Sequence, residues 1–501
     1  MTERSASAGA AAALAGLACA EAVAAWLGLP SLADGVARSV VDTTPRQVVD
    51  LTVRLLGQRD KPAVRLAVTG GVAAAGAATG LGSTRRVTAA AVGAAALAAA
   101  VTVHRDRRRP AGTVAVAALG AATTALAFQT LRRKRARTTR AVVAVTGLAA
   151  LAAARAIRAR HRLQHDSLTA GRPPGTGVAA PPPAPPPAAV ADGAVADGAE
   201  QWGVATPLFT PLENLYAADV NLDPPLLDAR RWRLEVTGLV ERPYSFDLAE
   251  LTALGTVDFD ALLICIHNGL GGNRLGNLRW TGVPLARLLR AVRPAPYART
   301  LVTRAFDGFD MSLSLTLLDE FDGYVVTGVA GRPLPAVNGY PARIMVPGIY
   351  GQYSGVKWVT QLHLTDRPPS DYWPRRGWPA DPVRVRPMSR IDPPSAASAG
   401  ATVTVTGVAW APPSGVAAVE VAVGDGPWRP AELAAELAPA AWRRWRARLD
   451  LPAGRHVVRS RATAATGEVQ DGRRRPPFPS GAGGYHEVSI DVAEDGGRRG
   501  A

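Results

Sequence analysis

Cysteine is almost missing from this 501-residue chain: Cys19 lies in an apolar run and Cys265 far away in a polar region. No disulfide framework and no Cys-x-x-Cys metal or redox pair can be built from two such residues. Lysine is nearly as scarce, with only Lys61, Lys134 and Lys357, so arginine carries almost all the positive charge. Acidic residues are sparse where the chain is most apolar. Residues 1–165 hold 7 of them against 23 basic residues, whereas the remaining 336 hold 34 of each. The totals, a net charge of +16 and a pI near 10.7, are those of a nucleic-acid binder. Their distribution removes that reading, because excess arginine between apolar runs marks membrane loops, not a groove-binding face. No nucleic-acid partner is expected.

What the first third does contain is Ala, Val, Leu and Gly in five stretches of roughly 17–21 residues, each long enough for a spanning helix. They run over 7–27, 65–83, 87–103, 112–130 and 140–157, with the excess charge assigned to the loops that flank them. Gly76 and Gly80 have the spacing that permits close helix approach. Thr44-Pro45-Arg46-Gln47 is a capping box with Pro at the first helical position, which predicts a helix over 45–56. Val48, Leu51 and Leu55 share one face of it, so it lies on the membrane surface or serves as an ordinary extramembrane helix. The densest basic run, Arg132-Arg133-Lys134-Arg135-Ala136-Arg137, favours a cytoplasmic loop and places the polar remainder of the chain outside the cytoplasm. A multi-pass protein of the cell membrane is therefore expected, with the bilayer as a partner. His104, His161 and His165 all sit at or beyond helix ends, so no haem is expected between the helices.

Residues 166–202 are rich in Pro, Ala and Gly, including the run Pro181-Pro182-Pro183-Ala184-Pro185-Pro186-Pro187, and read as a stiff extended linker. From 203 to 394 short β-type runs such as 232–236 and 343–346 alternate with Gly and Pro, and a helix is expected over 283–291. All six asparagines of the chain fall here (214, 221, 268, 273, 277 and 338), which suggests polar loops shaping a site. Residues 395–494 read as strands at 402–406, 417–423, 445–449, 456–462 and 487–492, the spacing of an immunoglobulin-like β-sandwich. Residues 495–501 form a disordered tail.

Two constellations carry chemistry. Cys265 ends an apolar strand, 262–266, and runs into the Gly/Asn loop 269–276. A cysteine there is a buried core residue, a nucleophile or a soft metal ligand. His267 lies two residues on, at a position that does not turn back toward the thiol. The second constellation is Asn338-Gly339-Tyr340-Pro341-Ala342-Arg343, leading through Gly351 and Ser354 to Lys357-Trp358. A forked Arg, a Lys and several Gly amides suit a large anionic cofactor, or else a hairpin with solvated charges.

The order of these segments resembles the sulfite oxidase family of molybdenum enzymes, in particular its membrane-anchored bacterial branch. The segments are Trp232-Arg233-Leu234-Glu235-Val236-Thr237-Gly238, the strand ending at Cys265, Trp280-Thr281-Gly282-Val283-Pro284-Leu285, Pro333-Leu334-Pro335, the Asn338 to Arg343 block, and Val346-Pro347-Gly348 before Lys357-Trp358. The resemblance implies a multi-domain architecture. It consists of an N-terminal α-helical transmembrane bundle, a central α+β (mostly β) molybdopterin-binding domain, and a C-terminal immunoglobulin-like sandwich of the dimerisation type, hence a homodimer. It implies one molybdenum-molybdopterin cofactor with Cys265 as both catalytic residue and metal ligand, since soft anionic sulfur suits a high-valent metal. His267, Asn268 and Gly269 would line the metal side, Asn338 and Arg343 would contact the pterin, and Gly351, Ser354 and Lys357 would hold its phosphate end.

Some positions depart from the family pattern. Where sulfite-oxidising members carry an Arg near the domain start, this chain has Ala217. Where they carry another soon after the ligand Cys, it has Leu270 or a neighbouring Gly, and Trp378 takes the place of their pocket Tyr. Missing guanidinium forks argue against sulfite as the substrate. The resulting expectation is a membrane-anchored oxidoreductase performing two-electron oxygen-atom transfer on a small molecule, with an external electron-transfer partner. The alternatives are a catalytically inactive, membrane-tethered binding module on the same fold, and a redox thiol working without metal.

Overall fold

The computed structural model describes residues 2–27, 29, 31–44, 60–80, 91, 94, 98, 110–133, 137–170, 204–218, 221, 223–368, 370–393, 397–398 and 402–493. The chain divides into two compact units, Met1–Thr169 with Asp219–Leu226, and Ala170–Ala218 with Leu227–Ala501. The expected surface helix at 45–56, most of the apolar run at 87–103, nearly all of the linker and the tail lie outside the described residues.

The first unit is helical: α1 Thr2–Trp26, α2 Leu32–Thr43, α3 Asp60–Gly80, α4 Pro110–Arg133 and α5 Arg137–Ala170. Small residues let these helices touch backbone to backbone. A Cβ added to Gly16 would come within 2.6 Å of the Gly120 carbonyl oxygen, and one on Gly76 within 2.5 Å of that of Gly9. Among the described residues three segments are long and apolar enough to cross a membrane, Ala6–Trp26, Thr113–Leu131 and Ala141–Asp166, and Leu66–Thr79 is a shorter apolar stretch. Of the five expected spans, then, three meet the length criterion and the second falls short of it.

Not all the basic charge lies in loops, contrary to the expectation. The cluster at 155–162 rides on α5 itself, which continues 13 residues past the expected end of its span at 157. Arg158 donates to Glu21 Oε2 at 3.1 Å, and Glu21 Oε1 also accepts from Ser31 Oγ (3.1 Å) and the Ala33 amide (2.9 Å). A paired and hydrogen-bonded carboxylate is the form in which a buried charge is tolerated.

The second unit, among the described residues, is built on four sheets. The first has the order β2 (Tyr244–Phe246), β1 (Leu234–Gly238), β10 (Val359–Thr365), β5 (Thr300–Ala305), β6 (Asp310–Ser314), with β1 and β10 parallel. The second runs β3 (Val257–Ile264), β4 (Leu275–Pro284), β7 (Tyr324–Val329), β8 (Arg332–Pro333), and β9 (Arg343–Met345) also pairs with β7. Helix α6 (Leu248–Ala253) starts with a complete capping box between Asp247 and Glu250. Helix α7 (Leu285–Val292) realises the helix expected at 283–291, and its Leu285, Leu288 and Val292 share the buried face. Helix α8 (Leu315–Glu320) is capped by Ser314, whose Oγ accepts from the Leu317 amide at 3.1 Å. Buried indoles tie the strands together, Trp232 Nε1 donating to the Val359 carbonyl (2.8 Å) and Trp280 Nε1 to that of Ala261 (3.1 Å).

The C-terminal strands are β11 (Met388–Ile391), β12 (Ala397–Ser398), β13 (Thr402–Trp410), β14 (Val416–Val423), β15 (Arg429–Pro430), β16 (Glu432–Leu433), β17 (Arg443–Asp450), β18 (Gly454–Ala464) and β19 (His486–Ala493). They form the sheets β11-β13-β17-β16 and β12-β19-β18-β14-β15, which share one apolar core containing Val405, Trp445, Val421, Val458 and Ile490. Strand β11 pairs with β13, so these sheets draw on residues before 395.

Candidate active site

Cys265 directly follows β3, and residues 265–274 form the loop of the β3–β4 hairpin. The Cys265 amide donates to the Arg274 carbonyl at 2.9 Å, closing the loop at its base, and the Asn268 amide donates to the Cys265 carbonyl, also at 2.9 Å. Asn268, 3% exposed, holds the loop from inside: its Oδ1 accepts from the Arg274 amide (2.8 Å) and its Nδ2 donates to the Gly269 carbonyl (3.3 Å). Gly272 must lack a side chain, because a Cβ there would lie 2.7 Å from Asn268 Oδ1. The loop therefore returns Arg274 to the strand end, where its positive charge acts on the thiol.

This bears on the departure noted at Leu270. A guanidinium does accompany the cysteine, displaced along the sequence by the glycines that lengthen the loop. Burial pushes the Cys265 thiol above its ordinary range, and the backbone at His267 and the Arg274 charge pull it part of the way back. The phenol of Tyr216, next to Ala217, occupies the same pocket. Desolvation drives its pKa well up, the neighbouring Cys265 adds to this, and Arg343 and Arg274 oppose it.

The second constellation is organised around three successive carbonyls of the turn Ala336–Asn338. Trp358 Nε1 donates to Ala336 O (2.7 Å), Lys357 Nζ to Val337 O (3.0 Å) and Arg343 to Asn338 O (3.3 Å). Gly339 (φ +111°) permits this convergence, since a Cβ there would meet Arg343 Cβ at 3.0 Å and Lys357 Cβ at 3.1 Å. Arg343 is 5% exposed and stacks over the Trp280 ring at 5.7 Å, yet its Nε has no hydrogen-bond partner. Burial lowers its pKa to about 10, with Tyr216 opposing.

The two constellations meet through helix α9 (Gly351–Ser354). A Cβ on Gly351 would lie 3.0 Å from Tyr216 Oη and 3.4 Å from the Ile264 carbonyl oxygen, and one on Gly355 would lie 3.0 Å from a terminal nitrogen of Arg343. Ser354 Oγ donates to the Ile349 carbonyl at 3.2 Å. Cys265, Arg343, Gly351 and Lys357 thus belong to one site, with Asn338 supplying a carbonyl to it. The His267 ring lies in an aromatic cluster. It stacks on Phe478 (5.9 Å, 13°) and meets Trp378 edge-on (6.0 Å).

The residues that the sequence pattern did not single out are Tyr216, Arg274, Tyr350 and Phe478. Arg274 had a readable signal, the length of a Gly loop whose two ends must rejoin a hairpin. Phe478 had none, being more than 200 residues away from Cys265.

These residues fit molybdopterin. A buried Arg with an orphaned Nε, flanked by glycines that leave room beside its guanidinium, suits an anion, and a lone soft thiol with a cation beside it suits a high-valent metal. Among the described residues no group of three or more His, Cys, Asp or Glu gathers as a metal cluster.

Comparison with known proteins agrees. A family description, oxidoreductase molybdopterin binding domain, matches residues 221–373. A protein of Azospira oryzae, YedZ1, named as a putative protein-methionine-sulfoxide reductase subunit, is 30% identical over 152 residues, which is 30% of this chain and 56% of that protein. The protein-methionine-sulfoxide reductase catalytic subunit MsrP of Gluconobacter oxydans is 28% identical over 29% of this chain and 50% of its own length. The NADPH nitrate reductase of Fusarium oxysporum is 30% identical over 30% of this chain and 19% of its own length. The likeness spans about half or less of each relative. That middle portion, residues 221–373, is an oxidoreductase molybdopterin-binding domain of the sulfite oxidase family.

Proposed function

We propose that the chain is a membrane-anchored molybdenum oxidoreductase that performs two-electron oxygen-atom transfer, and that its substrate is a small neutral sulfoxide, not sulfite. The observation that carries the reading is Cys265, a buried thiol at a strand end under the charge of Arg274, with the buried Arg343 and its orphaned Nε reached through Tyr216 and helix α9. Cys265 would hold the metal, Asn338 and Arg343 the pterin, and Gly351, Ser354 and Lys357 its phosphate end, with Asn268 and Gly269 at the pocket edge. Bound molybdopterin supplies the exchange of one oxygen atom and two electrons with the substrate. In balance, one sulfoxide, two protons and two electrons give one thioether and one water, with the electrons drawn from an external partner.

With the charge of Arg274 acting on the thiol, missing guanidinium groups no longer speak strongly against sulfite. A neutral substrate is favoured instead by the aromatic side of the pocket, where His267, Trp378 and Phe478 offer stacking surfaces and sulfur–aromatic contacts. The named activity of the two sulfoxide reductase relatives supports the same class. The three long apolar helices support the anchor, the basic run at 132–137 supports a catalytic unit outside the cytoplasm, and the paired C-terminal sheets support an immunoglobulin-like sandwich.

The test is molybdenum per purified chain, together with turnover of sulfoxides, nitrate and sulfite by reduced or oxidised dye. Wild type is expected to hold about one molybdenum and to reduce sulfoxides. Cys265→Ser is expected to lose at least about a hundredfold in activity. A metal-free wild type, or a fully active Cys265→Ser, sinks the reading.

A further inference from the structure

We infer that Arg390, a residue of β11, is a positioning residue for the reaction. Through the Gly272 carbonyl it clamps the outer turn of the loop 265–274, and so fixes where that loop carries Arg274. For its catalytic part, the inference rests on the reading of Cys265 as the reacting end of the site.

The loop needs such a clamp because of its composition. It contains Gly269, Gly271 and Gly272, and glycine gives up the most backbone freedom when it is ordered. The Asn268 side chain, on the Arg274 amide and the Gly269 carbonyl, and the Gly272 amide, on the Gly269 carbonyl at 3.0 Å, brace the loop against itself. Bonds of that kind move with the loop. Arg390 comes from another sheet, and its Nη1 donates to the Gly272 carbonyl at 3.1 Å, two residues before Arg274. Gly271 is packed from the same side, since a Cβ there would lie 2.2 Å from His486 Nε2.

The clamp is itself held rigidly. The second terminal nitrogen of Arg390, Nη2, donates to Thr206 Oγ1 at 2.8 Å. Arginine only donates, so the Thr206 hydroxyl accepts from it and gives its own proton to Asp392 Oδ1. Asp392, almost fully buried, also accepts from the Thr206 amide (3.0 Å) and Thr406 Oγ1 (3.4 Å), and its Oδ1 lies 4.0 Å from Arg390 Nη2. The guanidinium lies over the Trp442 ring at 6.0 Å, and the next residue, Ile391, donates its amide to His486 Nδ1 at 2.9 Å. A forked cation bound at both ends, with a carboxylate beside it, makes a stiff bracket between Thr206, the loop and β11.

Amide hydrogen exchange on the full-length, detergent-solubilised chain reads the clamp without turnover. In Arg390→Met, peptides covering 266–274 are expected to exchange at least about tenfold faster, while those of β13 and β18 keep the wild-type rate. Arg390→Lys leaves Asp392 with a counter-charge but cannot reach Gly272 and Thr206 as a fork, and about threefold faster exchange is expected. It keeps the test open should Arg390→Met fold poorly.

The second arm is a double-mutant cycle in the kcat of dimethyl sulfoxide reduction by the loaded enzyme. Arg390→Met is expected to lower kcat about tenfold in the wild-type background and to cost nothing further in Arg274→Gln, because its effect passes through Arg274. If sulfoxides are not substrates, wild type shows no turnover and the proposed function fails, while the exchange arm still decides whether Arg390 fixes the loop. Wild-type exchange over 266–274 in both Arg390 variants would overturn the inference. So would faster exchange spread equally over β13 and β18, or losses of kcat that simply add, which is the behaviour of a residue that only supports the fold.

Discussion

Arg343 gives the sharpest test of the cofactor site, because one substitution is expected to move two observables in opposite directions. Its guanidinium is buried, and that burial lowers its pKa from 12.5 to about 10. At about 1.4 kcal/mol per unit, holding the charge inside the cofactor-free protein costs about 3 kcal/mol. The sign comes from the depressed folded pKa. The cost is present at every pH below about 10 and is relieved only as the group loses its proton above it. Replacing Arg343 with Met removes that cost. It also forfeits the bond to the Asn338 carbonyl, worth about 1 kcal/mol, and the stacking on Trp280, worth about 0.5–1 kcal/mol. The net expectation for metal-free Arg343→Met is a gain of about 1–2 kcal/mol, seen as a melting temperature a few degrees higher.

Cofactor retention should move the other way. Loss of a charge-assisted fork costs roughly 1.5–3 kcal/mol, so molybdenum content should fall at least about tenfold at limiting cofactor. Arg343→Lys keeps the charge without the fork and should retain less cofactor than wild type without the stability gain. The assays are thermal unfolding of the metal-free, detergent-solubilised chain and metal analysis of the loaded one. A metal-free Arg343→Met that melts well below wild type, or a loaded one with full molybdenum, would refute the reasoning, since Arg343 would then be an ordinary structural residue.

Groups outside the pocket give two more tests. His486 Nδ1 accepts from the Ile391 amide at 2.9 Å, and burial first, then Arg390, hold its pKa below the ordinary value against the pull of Glu487 and Asp392. Its stabilising neutral form is fully present above about pH 6.5 and is lost as pH falls through the lower folded value. Wild type should therefore lose more melting temperature between about pH 7 and pH 5 than His486→Gln; equal losses would contradict the assignment. In the helical unit, Arg158→Leu strands the Glu21 carboxylate and should cost about 3–5 kcal/mol in detergent unfolding. The double variant Glu21→Gln/Arg158→Leu should recover most of this, because Gln still accepts from Ser31 and Ala33. A double variant no more stable than the single one would show that the pair is not coupled.

Much of the site was readable because its parts are local. A cysteine at the end of an apolar run before a Gly/Asn loop, and an Arg, Gly and Lys block spaced over about 20 residues, are patterns that short-range sterics and turn chemistry dictate. The strands around them follow alternation and turn residues in the same way, and the five runs expected in the C-terminal region lie within β13, β14, β17, β18 and β19. The misreadings have physical causes. Arg274 was missed because loop closure, not position in the sequence, sets what faces a strand end. The basic cluster at 155–162 was assigned to a loop, but it continues the helix, since Arg is itself a good helix former, and Arg158 pairs with Glu21.

The sequence by itself determined the division of labour. Charge excess and apolar runs sit in the first third, a balanced remainder carries the single central thiol, and a family resemblance marks the cofactor. These depend on composition and short-range order, which the chain carries before it folds. Tertiary structure alone decided which residues share the pocket. Arg274 and Tyr216 lie close enough to Cys265 to act on it, His267 joins an aromatic cluster, and Phe478 reaches that cluster from the C-terminal sheets. Such contacts join residues that are distant along the chain, and only the packing of sheets into a common core fixes them.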